Sequence, residues 1–205
     1  AGCSASPDDS TPSRLSSAAF MRSATAWAFE QLADREGAVV VYPEGFEGHW
    51  NDCRKEGDFA AKRLGVDDVS FLRAVVARLS GDPALGARQI AAEEVFAAGL
   101  SNGGHMALRL ALEAPDFVAG VAAIAASLPV ESNSECTPSG KAVPVLLLNG
   151  DADPISPYEG GEIWSLGSFN RRGAVQSAVE TAGYFSRLAG FAEAPFEHRY
   201  PDNDP

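Results

Sequence analysis

At 205 residues, 45% apolar and 21% charged, the chain is long enough to bury the core of one substantial domain and reads as globular. Its formal net charge of −12 comes with no basic cluster, which argues against nucleic acid or an anionic membrane bound through a cationic face. The longest apolar stretch, "FVAGVAAIAASLPV", falls short of the ~20 residues that a spanning helix needs.

Residues 1–15, rich in Ser, Pro and Asp, read as a flexible segment ahead of a single domain over 16–205. Ala1-Gly2-Cys3 fits two readings, the end of a bacterial lipoprotein signal with a lipid anchor on Cys3, or a loop after a lost strand. Ser16 or Ser17 can cap a helix toward Arg35, with Phe20, Ala24, Trp27, Ala28 and Leu32 on one face and Gly37 ending it. "AVVVYPEG" follows as a buried-type strand closed by Pro43 and Gly45, and "GHWNDCRKEGD" as a loop. "VDDVSFLRAVVARLSGD" predicts a helix started at Asp67 or Asp68 and stopped by Gly81, with Val69, Leu72, Val75, Val76 and Leu79 on one side.

A short strand, "VFAA", then leads into a serine turn and a helix that Pro115 stops near Ala114. "VAGVAAIAA" and "VPVLLLN" read as strands buried on two faces. Near the end, Ser177 and Glu180 form a capping box for a helix with Phe185 and Leu188 on its buried side. Strands alternating with helices predict an α/β fold with a mainly parallel sheet covered on both faces. There is no internal repeat and no second domain.

Gly99-Leu100-Ser101-Asn102-Gly103 fits G-x-S-x-G in its meaningful context, strand before and helix after. The turn would hold Ser101 in a strained conformation with its hydroxyl above the carboxyl edge of the sheet, and side chains at the flanking glycines would collide with the neighbouring strand and helix. The Asn102 N–H, at the start of the helix, would face a developing oxyanion. The structural alternative is a glycine-rich turn with a capping serine.

A triad on this plan runs serine, acid, histidine in chain order. After "VPVLLL" come Asp151 and Asp153, either of which could also cap the turn, and spacing alone does not choose. His49 and His105 precede both aspartates. His198 has the required order but sits in "FEHRYPDNDP", which reads as a strand entering a turn. The cysteines, Cys3, Cys53 and Cys136, lack metal-ligand spacing and allow one disulfide plus a free thiol, with the pair left open.

The blocks "FMRSATAWAFEQLADREGAVVVYPEG", "HWNDCR", "VDDVSFLRAVVARL", "VFAAGLSNGGHMALRLALEAPD", "VPVLLLNGDADPISPYEGG" and "SAVETAGYFSRLAGF" resemble the secreted esterases that include polyhydroxybutyrate depolymerases and feruloyl or acetylxylan esterases. The resemblance implies a three-layer α/β-hydrolase fold, Ser101 as nucleophile, Asp153 as triad acid and the Asn102 N–H as an oxyanion donor. It also implies an extracellular carboxylic ester hydrolase that needs no metal or organic cofactor. Against the family pattern, an N-terminal strand ending in His-Gly and a C-terminal Gly-rich block carrying the catalytic histidine have no counterpart, so the base is expected beyond Pro205.

Two functions follow. One is a serine esterase acting on a polyester, its oligomers or a plant-wall ester. The other is a non-catalytic ligand- or carbohydrate-binding relative that lacks the base. Trp50 and Tyr158, on loops near the expected site, would line an aromatic or sugar-binding cleft or else pack the loops. No feature of the sequence sets the oligomeric state.

Overall fold

The computed structural model describes residues 29–80, 82, 95–164, 171–193 and 195–199. The segment over 1–15, Cys3, the helix start at Ser16 or Ser17, Gly81 and the last residues before Pro205 lie outside them. Helix α1 (Phe29–Glu36) ends as expected, with Gly37 at φ 69° and the Ala38 N–H donating to the Ala33 carbonyl at 2.9 Å, a Schellman closure.

No strand follows. Residues 38–45 are irregular, half-buried over 40–43, and they join no ladder among the described residues, which corrects the expectation for "AVVVYPEG". An apolar β-branched run has the propensity for a strand, but a strand exists only where a neighbour takes up its hydrogen bonds. After the short helix α2 (Ala60–Arg63), α3 (Asp68–Ser80) begins with Asp67 Oδ1 accepting from the Ser70 N–H at 3.0 Å. Val69, Leu72, Val75, Val76 and Leu79 share its half-buried side, as the 3.6-residue spacing requires.

Strands β1 (Phe96–Leu100), β2 (Gly120–Ile124) and β3 (Val145–Leu148) form a parallel sheet in that order. Ala97 pairs with Val121 and Gly99 with Ala123, while Val121 pairs with Val145 and Ala123 with Leu147. That row of the pleat faces the core. The opposite row carries Phe96, Leu146 and Leu148, exposed at 73%, 56% and 49%, so β3 is not buried on both faces as its composition predicted, and β1 also has an exposed face. An apolar run cannot reveal which face of a strand is covered.

Helix α4 (Asn102–Glu113) packs on β1 and β2 and is buried almost all round, including Met106, Leu108, Leu110 and Leu112. Its far side therefore needs a second cover, and the buried loop 50–54 supplies it: Trp50 and Cys53 share one cluster with the helix. Cys53 is bonded to Cys136, resolving the open pairing. The loop "GHWNDCRKEGD" is thus irregular as expected, yet its centre is interior.

A hairpin that the sequence did not announce, β4 (Gly161–Trp164) with β5 (Arg171–Val175), pairs antiparallel. Asn133 ties it to the loop: its Nδ2 donates to the Ala174 carbonyl at 3.0 Å and its Oδ1 accepts from the Glu56 N–H at 3.0 Å. Helix α5 (Ala178–Leu188) opens on the expected capping box, with Ser177 Oγ accepting from the Glu180 N–H at 3.0 Å and Glu180 Oε2 from the Ser177 N–H at 2.9 Å. Phe185 is buried and Leu188 half-buried on the inner side. Residues 195–199 form no strand. No described helix is long and apolar enough to cross a membrane.

Candidate active site

The site begins with the backbone at Ser101, which takes φ 53° and ψ −118°, a conformation outside the ordinary regions for a non-glycine residue. Such a conformation costs about 1–3 kcal/mol and persists only where its surroundings over-determine it. Here the Ser101 N–H donates to the Ile124 carbonyl at 2.8 Å, and the Ser101 carbonyl accepts from the His105 N–H at 2.9 Å. The residue is thereby fixed to β2 on one side and to the first turn of α4 on the other. Its side chain is exposed and makes no capping hydrogen bond, so the capping alternative is not what the hydroxyl does.

The glycines divide the steric work differently from expectation. A Cβ on Gly99 would lie 2.2 Å from both the carbonyl carbon and oxygen of Gly103, so strand and helix can approach only without that side chain. Gly104, which the motif did not single out, is equally constrained: its Cβ would meet Ala126 Cβ at 2.8 Å and the Gly99 and Ile124 carbonyl oxygens at 3.0 Å. Gly103 itself has room, with Trp50 Nε1 4.0 Å from such a Cβ. Its own backbone is what Gly99 must clear.

Asp153 follows β3, whose carboxyl end lies on the same sheet edge as that of β1 because all three strands are parallel. With β2 between them, the two strand ends stand about 10 Å apart, a gap that side chains and an intervening imidazole can bridge. Asp153 is half-buried, and its Oδ1 accepts from the Ile155 and Ser156 N–H groups at 2.8 and 2.9 Å. Asp151 is exposed. Tyr158 is half-buried, and its carbonyl accepts from the Ala178 N–H at the start of α5. Trp50 is only 3% exposed, a core position that fits the packing alternative rather than a cleft wall.

The histidines occupy three different settings. The His49 ring stacks on Phe59 at 4.6 Å, with Nδ1 3.1 Å from the Glu47 carbonyl. His105 is buried in α4. Burial, and then the nearby Arg54 charge, lower its pKa to about 3, so it is neutral at pH 7. His198 stacks on Phe196 at 6.4 Å in the irregular segment 195–199.

Sequence reasoning missed the polar group beneath the turn. The Asn102 side chain is buried and fully engaged: Oδ1 accepts from the Trp50 N–H at 2.7 Å, while Nδ2 donates to the Trp50 carbonyl at 3.0 Å and to Asp52 Oδ2 at 2.7 Å. Asp52 is fully buried and accepts from Arg54 through the backbone N–H at 2.8 Å and Nη2 at 2.5 Å. Burial alone would raise the Asp52 carboxyl, but the Arg54 charge and hydrogen bonds outweigh it and hold the group below the usual carboxylate range. The available signal was the Asp-Cys-Arg run itself, opposite charges on either side of a cysteine.

Residues 73–165 match the phospholipase/carboxylesterase family. The chain is 37% identical over 175 residues to a putative esterase, NocK, of Nocardia uniformis subsp. tsuyamanensis, covering 82% of this chain and 48% of that protein. It is 38% identical over 80 residues to acyl-protein thioesterase 1 of Mycosarcoma maydis, covering 38% and 33%. It is 26% identical over 160 residues to feruloyl esterase B of Piromyces equi, covering 75% and 28%. The chain thus spans half or less of the length of these relatives. The fold is that of the α/β-hydrolases.

Proposed function

We propose that the protein is a serine esterase in which Ser101 is the nucleophile, the Asn102 N–H an oxyanion donor and Asp153 the acid that orients a histidine following it in the chain. The observation that carries this reading is the strained, exposed serine between β1 and α4. Ser101 Oγ attacks the ester carbonyl carbon as the imidazole takes its proton, and the charge that develops on the carbonyl oxygen meets the N–H groups at the helix start. The imidazolium then protonates the departing alcohol, leaving an acyl-serine. Water, deprotonated by the same imidazole, attacks the acyl carbon; the bond to Ser101 Oγ breaks, the imidazolium returns its proton to that oxygen, and the acid is released. Asp153 Oδ1 is taken up by two backbone N–H groups, which leaves Oδ2 for the imidazole.

The substrate class is a carboxylic ester of a hydroxyalkanoate, feruloyl or acetyl type. The match to feruloyl esterase B and the blocks shared with the depolymerase-like esterases support it, and Tyr158 is the aromatic candidate for the cleft. The Cys53–Cys136 bond supports an oxidising, extracellular setting. The test is hydrolysis of p-nitrophenyl acetate by the full-length protein. Release of p-nitrophenolate in a burst followed by steady turnover is expected. A purified, folded protein that gives neither contradicts the esterase reading and favours the binding relative.

A further inference from the structure

We propose that Asn102 and Asp52 are positioning residues for the oxyanion site, with the loop 50–54 holding the Asn102 peptide in its reactive orientation. The inference rests on the esterase reading and deepens it. Asn102 carries its two functions on different groups. Its N–H faces the reacting carbonyl, and its side chain points the other way, into the interior, where all three of its hydrogen bonds end on one loop. The carboxamide pairs with both the N–H and the carbonyl of Trp50, as a neighbouring strand would, so it cannot rotate without losing two bonds at once.

The third bond goes to a carboxylate that is itself immobile. Arg54 holds Asp52 from backbone and side chain, both residues are buried, and the intervening Cys53 is bonded to Cys136. The Lys55 N–H donates to the Asn133 carbonyl at 2.7 Å, which anchors the next residue. Relaxing the strained dihedrals at Ser101 would turn the adjoining 101–102 peptide, and this buried chain of contacts opposes that turn. A helix start that needed only a cap would not require it. The arrangement keeps an N–H aimed before substrate arrives, which is the condition for electrostatic stabilisation without reorganisation.

The experiment compares Asn102→Ala, Asp52→Asn and Asn133→Ala in the full-length protein with p-nitrophenyl acetate, rates being referred to the folded fraction from circular dichroism. Asn102→Ala retains the backbone N–H and removes only the clamp. Its kcat is expected to fall about 100-fold, near the lower end of what loss of an oxyanion donor produces, with KM changed less than about twofold. Asp52→Asn keeps an oxygen for Asn102 Nδ2 and should fall between parent and Asn102→Ala. Asn133→Ala keeps the backbone carbonyl that holds Lys55 and removes only the side-chain bonds to the Glu56 N–H and the Ala174 carbonyl, outside residues 50–54, so it should lower the melting temperature while kcat stays near the parent value. A kcat in Asn102→Ala within about threefold of the parent, or an equal loss in Asn133→Ala, overturns the proposal. Should Asn102→Ala fail to fold, an unchanged kcat in folded Asp52→Asn overturns it and a lowered kcat at constant KM upholds it. Absence of Ser101-dependent turnover in the parent is a separate result: it removes the esterase reading, and this inference with it.

Discussion

Ser101→Ala is expected to lower kcat on an activated ester by about a millionfold while leaving the melting temperature nearly unchanged. The two halves of that result come from one geometry. The hydroxyl is exposed and makes no capping bond, so removing it deletes no structural interaction. Surface changes of this kind usually stay within about 0.5 kcal/mol. Catalysis, by contrast, would lose the atom that bonds to the acyl carbon. Steady-state kinetics and a thermal melt on the same preparation check both halves. A serine retained for folding would give the opposite pattern, a lower melting temperature with the rate intact.

Arg54→Ala should produce the largest loss of stability. Arg54 and Asp52 are buried together, with side-chain exposures of 4% and 0%. Removing the guanidinium strands a carboxylate in the interior, which typically costs about 3–5 kcal/mol. For a domain of this size that corresponds to a fall in melting temperature of roughly 10 °C. Arg63→Ala provides the contrast, because the Arg63–Asp58 pair is exposed on both sides and such pairs are worth about 0–1 kcal/mol. Equal melting temperatures for the two variants would show that the Asp52 carboxylate finds another partner or takes up a proton. The Arg54 variant should also lose kcat, since Asp52 would no longer be fixed beneath Asn102.

What the sequence displayed and what it concealed divide along the range of the interactions. The serine turn was legible because its chemistry is local: an apolar strand, glycines where the backbones cross, and a helix within a few residues. The capping box at Ser177 and Glu180 and the start of α3 at Asp67 were legible for the same reason, each being a contact across three residues. "AVVVY" misled because a strand is completed by a partner that may lie anywhere in the chain. The hairpin β4–β5 was hidden for a related reason, since Asn133 ties β5 to a distant loop. Trp50, Asp52 and Arg54 read as loop residues, and only for Trp50 was packing among the alternatives. They are interior because α4 is buried on nearly every side and needs a cover, a demand set by packing across more than fifty residues of chain. The choice of Asp153 came from resemblance, and its role as triad acid belongs to the proposed function.

The central claim is that the hydroxyl of Ser101 is the reacting nucleophile, and covalent capture tests it most directly. Treating the full-length protein with a fluorophosphonate and mapping the modified peptide by mass spectrometry should place one phosphonyl group on Ser101, in step with loss of turnover. A fully inactivated protein bearing the label on another residue, or an active one whose Ser101 peptide stays unmodified, would contradict the account.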